Sequence, residues 1–206
     1  MIAYRPGKIV CVGRNYRDHA KELGNDVPTE PLIFLKPPSS LIVGGDAIVL
    51  PPQSKQVEFE GELGIVIGAR LRHASEADAL RAIRGVVAVN DVTARDLQKS
   101  DSQWTRAKGF DTFCPVGTLF EGVPNLAALT VVTRVNGVER QRGTGAQLVF
   151  SVPMLLAYIS AIMTLEPGDL VATGTPAGVG ALAPGDEVEV ELVGVSSVRN
   201  PVVAER

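Results

Sequence analysis

Three glutamates alternate along one short stretch of the chain, VEFEGELGIVIG, as Glu58, Glu60 and Glu62. Side chains two residues apart on an extended strand project from the same face, so the pattern predicts three carboxylates side by side. Like charges at that spacing repel one another. Three interpretations are open: a solvated strand edge protected by charge, a general acid/base pair, or a site for a hard divalent cation.

A second candidate segment is VVAVNDVTARDLQ, in which an apolar run ends at Asn90 and is followed by Asp91, Arg95 and Gln98. If Asp91 starts a helical turn, Arg95 and Gln98 lie on its face, because residues three or four apart are neighbours on a helix. One surface would then carry an acid, a cation and an amide. The alternative is that Asp91 is an N-cap ahead of a solvated helix, since aspartate is a preferred cap.

Two further segments contain groups suited to proton transfer or charge stabilisation. In RNYRDHAKELG, His19 and Glu22 are three residues apart on a short predicted helix. This spacing can hold one imidazole tautomer and raise its basicity, as a general base that activates water requires, although exposed pairs of this kind are also common. In WTRAKGFDTFCP, Lys108 precedes a mostly apolar run, where a desolvated lysine could stabilise an oxyanion or hold a carboxylate.

The glycine-rich segment TGTPAGVG contains Thr175 and lacks both the lysine of a P-loop and a clean GxGxxG followed by a helix. It predicts a loop that presents backbone amides and the Thr175 hydroxyl to a small anion rather than to a nucleotide. The acids offer only oxygen ligands and there is no Cys/His cluster. This donor set indicates Mg²⁺ or Mn²⁺, with Ca²⁺ as a further option, rather than zinc.

Apolar runs rich in Val and Ile, bounded by turn residues, predict the strands that must position these groups. Asn136-Gly137 between two such runs predicts a two-residue hairpin turn, and glycine and proline are abundant elsewhere. The predicted strands are Lys8 to Val12, Leu63 to Ala69, Gly85 to Val89, Leu129 to Val135, Asp169 to Ala172 and Glu187 to Val193. The predicted helices are Tyr16 to Leu23, Ser75 to Arg84 and Ser151 to Leu165. Together they predict a mixed β-rich (α+β) architecture with a few flanking helices.

Composition limits the classes of partner. The chain has 206 residues, 45% of them apolar and 21% charged, and a net charge of -3. These values are typical of one globular domain over 1–206, and they predict neither a nucleic-acid nor a membrane partner. The apolar surroundings of Cys11 and Cys114 predict buried free thiols in a cytoplasmic protein.

Seven segments, taken in order along nearly the whole chain, resemble the fumarylacetoacetate hydrolase superfamily, and most closely its short single-domain members. They are CVGRNYRDHAKELG, EPLIFLKPPSS, VEFEGELGIVIG, NDVTARDLQ, QWTRAKGFDTFCPVG, VNGVERQRG and LEPGDLVATGTPAGVG. The resemblance implies a β-sandwich/roll fold, usually as a homodimer, with one Mg²⁺ or Mn²⁺ per subunit. It implies that Glu60, Glu62 and Asp91 bind the metal, because the family's E-x-E directly precedes the Leu-Gly of the next strand. Glu58 would then lie beside the ligands without binding.

The same resemblance implies roles for the remaining candidates. His19, Glu22 and Lys108 match catalytic residues, and Arg95, Gln98 and Thr175 match residues that contact a small 2-oxo acid substrate. The expected activity is cleavage of a carbon-carbon bond in acylpyruvate-type 2,4-dioxo acids, such as acetylpyruvate or fumarylpyruvate, through a pyruvate enolate stabilised by the metal. Oxaloacetate decarboxylation and hydroxyheptadienedioate isomerisation on the same site are the alternatives, and non-catalytic binding of dicarboxylates is a more distant one.

Overall fold

The computed structural model describes residues 4–22, 24 and 26–205, and these residues form a β-rich fold with few helices. The strands are β1 Ile9–Gly13, β2 Leu32–Lys36, β3 Leu41–Val43, β4 Ile48–Leu50, β5 Val57–Phe59, β6 Gly61–Ile67, β7 Ile83–Asn90, β8 Thr93–Ala94, β9 Cys114–Val116, β10 Phe120–Glu121, β11 Thr130–Val135, β12 Val138–Thr144, β13 Leu170–Ala172, β14 Gly180–Ala181, β15 Glu187–Leu192 and β16 Ser196–Ala204. The helices are α1 Arg17–Glu22, α2 Glu76–Arg81, α3 Arg95–Ser100, α4 Thr105–Lys108 and α5 Val152–Ile162, and single 3-10 turns lie at Pro38–Ser40 and Gly145–Gln147.

Three sheets organise these strands. The largest has eight strands in the order β2-β1-β13-β6-β7-β9-β3, with β10 also pairing to β7. The second has the order β12-β11-β15-β16-β4, and the third is a small sheet of β14, β5 and β8. Most pairs are antiparallel, whereas β1 with β13, β3 with β9 and β4 with β16 are parallel. The predicted mixed β-rich architecture is confirmed.

The main hydrophobic core lies between the two larger sheets. Leu63, Ile65 and Val86 of the large sheet belong to the same buried cluster as Val190 and Leu192 of the second sheet. Two sheets that bury their inner faces against each other form a sandwich, because each is apolar on one face. Helix α5 adds Leu156 and Ile159 to this core, while its Ser151 side chain accepts the Met154 N–H at the helix start.

The six predicted strands are all present, with ends that differ by a few residues. The predicted helix from Ser75 to Arg84 is too long at its end. It stops at Arg81, and Ile83, a β-branched residue that favours strands, is buried and already pairs with Ile67 in the large sheet. Helix α5 also ends early, at Ile162. Of the predicted helix Tyr16 to Leu23, residues Arg17–Glu22 are helical and Leu23 lies outside the described residues.

The predicted hairpin turn is confirmed, since Asn136 and Gly137 both have positive φ, 52° and 77°, between β11 and β12. The prediction for the cysteines is confirmed as well. Cys11 and Cys114 are fully buried free thiols, and burial raises the pKa of Cys114 to about 12, which leaves it inert as a nucleophile. Among the described residues, the helices are all too short to cross a membrane.

Candidate functional site

The glutamate run does not form one continuous strand, and that prediction is wrong. Glu58 belongs to β5 in the small sheet, Glu62 belongs to β6 in the large sheet, and Glu60 lies at the break between them. The Glu60 N–H donates to the Asn90 side-chain oxygen (3.0 Å), and the Glu60 carbonyl accepts from the Asp91 N–H (2.8 Å). Gly61 is required here, because a Cβ at this position would come within 1.9 Å of Thr133 Oγ1.

The crossing between sheets brings three carboxylates together. Glu60, Glu62 and Asp91 are 4%, 2% and 1% exposed, and each offers an oxygen within 4.8 Å of the other two. Ligands on opposite sides of one ion with bonds of 2.0 to 2.6 Å lie about 4 to 5 Å apart, so a single cation can bridge this set. Glu58 is not part of the group. An all-carboxylate donor set fits a hard divalent cation.

Buried cations offset most of the negative charge. Lys108 donates to Glu60 Oε2 (2.7 Å) and Asp91 Oδ2 (2.6 Å), and Lys36 donates to Asp91 Oδ1 (2.7 Å). Arg95 bridges Glu58 Oε2 (2.7 Å) and Glu60 Oε1 (2.5 Å). Each carboxylate oxygen has two lone pairs, so these hydrogen bonds leave acceptor capacity for a metal ion.

Glu62 has a different electrostatic environment from its neighbours. Its carboxylate accepts the Gly174 N–H (2.8 Å), and no cationic partner contacts it among the described residues. Burial raises the pKa of Glu62 well above its usual range, and the nearby charges of Asp91 and Glu60 raise it further. Burial also acts on Glu60, but Lys108 and Arg95 outweigh it and hold the pKa of Glu60 well below its usual range. Glu62 is therefore the member that most needs a bound cation.

Asp91 does not cap or start a helix, contrary to both interpretations of its segment. It follows β7 directly, and α3 begins four residues later at Arg95, after the short strand β8. The Asp91 backbone instead bonds Glu60, which directs the Asp91 carboxylate to the other two acids. Arg95 and Gln98 do lie three apart on one helix, and Arg95 Nη1 donates to Gln98 Oε1 (2.5 Å). Helix α3, and not a helical turn begun by Asp91, therefore places Arg95 and Gln98 side by side.

His19 and Glu22 form the pair that their spacing predicted. His19 is 4% exposed, and its Nδ1 lies 3.2 Å from Glu22 Oε2. The same carboxylate accepts the Gly178 N–H at 3.0 Å. A carboxylate acceptor places the proton of a neutral imidazole on Nδ1 and leaves Nε2 with a free lone pair. The alternative of an exposed surface pair does not hold for His19, because its ring is buried.

The TGTPAGVG loop does present backbone amides to anions, and those found are carboxylates of the chain itself. Gly174 donates to Glu62 and Gly178 donates to Glu22. The Thr175 hydroxyl donates to the Gly61 carbonyl (2.8 Å) and accepts from Gln141 Nε2 (2.8 Å). Its single proton is thus engaged within the chain, and a substrate contact by Thr175 stays a prediction.

A cavity of about 50 Å³ connects these groups. Of the nine residues singled out in the sequence, eight line it: His19, Glu60, Glu62, Asp91, Arg95, Gln98, Lys108 and Thr175. Glu22 stands behind His19. Four further residues were not predicted from the sequence: Arg14, Phe34 and Trp104 on the cavity wall, and the buried Lys36, which bonds Asp91. Lys36 had a usable signal, because it is a charged residue at the end of the apolar strand LIFLK.

Comparison with known proteins places the chain in a family. A family model described as the C-terminal domain of fumarylacetoacetate hydrolase matches residues 8–203. The chain belongs to the fumarylacetoacetate hydrolase family. One relative is the human mitochondrial oxaloacetate tautomerase FAHD2A, 43% identical over 97% of this chain and 67% of its own length.

Two further members of the family are similar over most of both chains. The mitochondrial oxaloacetate decarboxylase of Dictyostelium discoideum is 44% identical over 92% of this chain and 90% of its own. The crystal structure of 5-carboxymethyl-2-hydroxymuconate delta-isomerase from Mycobacterium smegmatis superposes with a TM-score of 0.92 and 42% identity, covering 98% of this chain and 81% of that one. The fold implied by the resemblance is therefore confirmed.

Glu58→Gln should be tolerated much better than Glu60→Gln in this member of the family. Glu58 accepts from Arg95 Nε through Oε2 and from Gln56 Nε2 through Oε1. A glutamine can keep the Arg95 bond through its amide oxygen and donate its amide N–H to the Gln56 side-chain oxygen once the Gln56 amide flips, whereas Glu60 faces both Lys108 and Arg95 inside the acidic triad. We expect Glu58→Gln to lower kcat/KM less than about 10-fold, and Glu60→Gln to lower it at least about 100-fold. Steady-state kinetics at saturating Mn²⁺ measure both values. Equal losses would show that Glu58 is also a ligand.

Proposed function

We propose that this protein is a divalent-metal-dependent enzyme that enolises a small 2-oxo dicarboxylic acid, with oxaloacetate as the first candidate substrate. The observation that carries the proposal is a buried carboxylate triad and a buried histidine on one small polar cavity. A cavity of about 50 Å³ has room for a few water-sized groups, since one water occupies about 10 to 15 Å³ on this measure. That size favours a short 2-oxo acid over one with a long acyl chain.

Glu60, Glu62 and Asp91 would hold the ion, and the raised pKa of Glu62 supports this assignment because a bound cation would favour its ionised form. Mg²⁺ and Mn²⁺ are the ions that this donor set favours. When bound, such an ion acts as a Lewis acid on a carbonyl oxygen. The rest of the chemistry falls to side chains of this chain.

His19 is placed to move the proton at C3 of the substrate. Its Nδ1 is held by Glu22, so Nε2 is the atom that accepts a proton from C3 and returns it. Glu22 itself is fixed by the Gly178 N–H, which keeps the imidazole in one orientation. The pair therefore has the parts of a general base: an acceptor atom, a partner that sets the tautomer, and a rigid anchor.

Lys108 contributes positive charge rather than a base. Burial would lower the pKa of Lys108, but the carboxylates of Asp91 and Glu60 outweigh burial and hold it above its usual range. The ammonium group therefore stays protonated at neutral pH. It has three N–H donors, two of which bond Glu60 and Asp91, so the third can stabilise an oxyanion of the substrate.

Two reactions, each through its own enolate, are compatible with these groups. Tautomerisation moves a proton from C3 to the 2-oxo oxygen, so that the C2–O double bond becomes single and the C2–C3 bond becomes double, and no carbon-carbon bond breaks. Decarboxylation breaks the C3–C4 bond, releases CO₂ and leaves the electron pair in the enolate of pyruvate, which then takes a proton at C3. The human relative is named an oxaloacetate tautomerase and the Dictyostelium relative an oxaloacetate decarboxylase, and these names support the two reactions.

Hydrolysis of acylpyruvates, the first expectation from the sequence, is the second candidate. It is favoured by the His19–Glu22 pair, which could take a proton from water as well as from carbon. The resulting hydroxide would attack the distal carbonyl, and the carbon-carbon bond would break to give a carboxylic acid and the enolate of pyruvate. This reaction comes second because two relatives are named for oxaloacetate chemistry, whereas cavity size does not separate acetylpyruvate from oxaloacetate, which have equal numbers of non-hydrogen atoms.

A substrate panel tests the proposal. Oxaloacetate, acetylpyruvate, fumarylpyruvate and 2-hydroxyhepta-2,4-diene-1,7-dioate would each be followed by enol absorbance, with Mg²⁺, with Mn²⁺ and with EDTA. We expect turnover of oxaloacetate that EDTA abolishes and either ion restores. Turnover of an acylpyruvate alone would support the second candidate, and a protein that binds these acids without converting any of them would be a dicarboxylate binder. The homodimer expected from the resemblance stays a prediction that light scattering can measure.

A further inference from the structure

One cation on the cavity wall has no role in the site described so far. Arg14 lines the cavity and is half-buried. The other two cations on the wall, Arg95 and Lys108, are tied to Glu58, Glu60 and Asp91. Within the part of the chain that the structure describes, Arg14 makes neither a hydrogen bond nor an ion pair. Its guanidinium is therefore free to bind an anion that enters the cavity.

The backbone at Arg14 has an unusual conformation between two anchored neighbours. Arg14 has a φ of 58°, in the left-handed region that a side chain other than glycine rarely adopts. The next residue, Asn15, is fully buried, donates to the carbonyls of Phe150 (3.2 Å) and Thr173 (2.8 Å), and accepts the Phe150 N–H (2.8 Å). The preceding residue ends strand β1. Surroundings that fix such a backbone on both sides commonly occur at ligand sites.

The charges of the buried site agree with a doubly charged substrate. Four buried carboxylates, those of Glu58, Glu60, Glu62 and Asp91, face three buried cations, those of Lys36, Arg95 and Lys108. A divalent ion on the acids would leave the fully ionised cluster with one positive charge. A monocarboxylate would neutralise that charge by itself. A dicarboxylate needs one further cation, and Arg14 is the cation that the wall provides.

We propose that Arg14 binds the distal carboxylate of the substrate and makes the enzyme selective for dicarboxylic over monocarboxylic 2-oxo acids. This inference rests on the proposed function for the identity of the reaction, and it adds the group that recognises the second charge. A guanidinium suits this task, because it donates two parallel hydrogen bonds to one carboxylate. Arg14 is thus a specificity-determining residue rather than a proton carrier.

The test uses two pairs of ligands that differ in the distal group. Oxaloacetate and acetylpyruvate are compared by KM and kcat, and malate and lactate are compared by calorimetric binding to the Mn²⁺-loaded protein. Arg14→Met removes the charge, and Arg14→Lys keeps the charge without the bidentate geometry. Arg17→Met is the matched control, because Arg17 is an exposed arginine three residues away that does not line the cavity. Circular dichroism confirms that each variant is folded.

We expect Arg14→Met to raise KM for oxaloacetate about 10- to 100-fold and to leave that for acetylpyruvate within about 3-fold. Malate should lose its affinity advantage over lactate in Arg14→Met, regain part of it in Arg14→Lys and keep it in Arg17→Met. Equal losses for both ligands of a pair, or no loss for malate, would overturn the proposal. If the wild type converts no substrate, the proposed function fails, whereas the malate and lactate measurements still decide the role of Arg14.

Discussion

Glu62→Gln is expected to abolish divalent-metal binding and turnover while leaving the metal-free protein at least as stable as the wild type. The carboxylate of Glu62 is buried beside Asp91 and Glu60, and the partner given by the structure is the Gly174 N–H. Glutamine keeps an acceptor for that N–H and removes the charge. We expect affinity for Mn²⁺ to fall at least about 100-fold, since even residues behind the ligands account for about 10- to 100-fold. Calorimetry measures the affinity, and chemical denaturation measures the free energy of unfolding.

The pH dependence of stability provides an internal control for this prediction. The pKa of Glu62 is raised on folding, so the folded metal-free protein binds a proton that the unfolded chain has released above its ordinary pKa of 4.5. The free energy of unfolding should therefore fall as pH rises above that value. In Glu62→Gln this contribution is absent. The free energy of unfolding of the variant should therefore rise relative to that of the wild type as pH rises. A constant difference between pH 5 and pH 8 would contradict the assigned environment.

Glu60→Gln is the matched substitution with the opposite effect on stability. Glu60 is the shared partner of Lys108 and Arg95, and neutralising it leaves part of their buried charge uncompensated. Removing one partner of a buried ion pair costs about 3 to 5 kcal/mol. Both variants should lose the metal, and the Glu60 variant alone should lose stability. Destabilisation by both would mean that Glu62 has a structural role of its own.

His19→Asn should lower kcat about 10²- to 10⁴-fold, the range ascribed to a general acid or base, and leave Mn²⁺ affinity within about 3-fold of the wild type. The physical reason is the separation of roles in the site. The imidazole is bound to Glu22 and lines the cavity, and it is not one of the three carboxylate groups that converge on a common point. Single-turnover kinetics with oxaloacetate and calorimetric Mn²⁺ titration measure the two quantities.

Glu22→Gln separates the orienting function from the proton transfer. A glutamine can still accept from His19 or from the Gly178 N–H. We therefore expect a kcat for Glu22→Gln that lies between the kcat of the wild type and that of His19→Asn. A proton transfer through Nε2 also predicts that the solvent isotope effect on kcat changes in Glu22→Gln. Full activity in His19→Asn would show that another group moves the proton.

Short sequence patterns were sufficient to predict those features that depend on neighbouring residues alone. Val- and Ile-rich runs predicted six of the strands in the two larger sheets, and Asn136-Gly137 predicted a turn, because positive φ at two successive residues strongly favours these residue types. The three-residue spacing of His19 and Glu22 predicted their contact, since helix geometry fixes neighbours at that distance. The same reasoning failed for the glutamate run, because alternation along a strand holds only while the strand continues in one sheet.

The sequence by itself determined which chemical groups were available: acidic oxygen ligands without a Cys/His cluster, one histidine three residues from a glutamate, and a lysine ahead of an apolar run. The tertiary structure alone decided how they are used. The change of sheets at Glu60 brings it together with Glu62 and Asp91, whereas Glu58 accepts a hydrogen bond from Arg95. Lys36 donates to Asp91, which is 55 residues away in sequence. Such contacts depend on sheet order and side-chain burial, which no local spacing encodes, and the position of Arg14 on the cavity wall has the same origin.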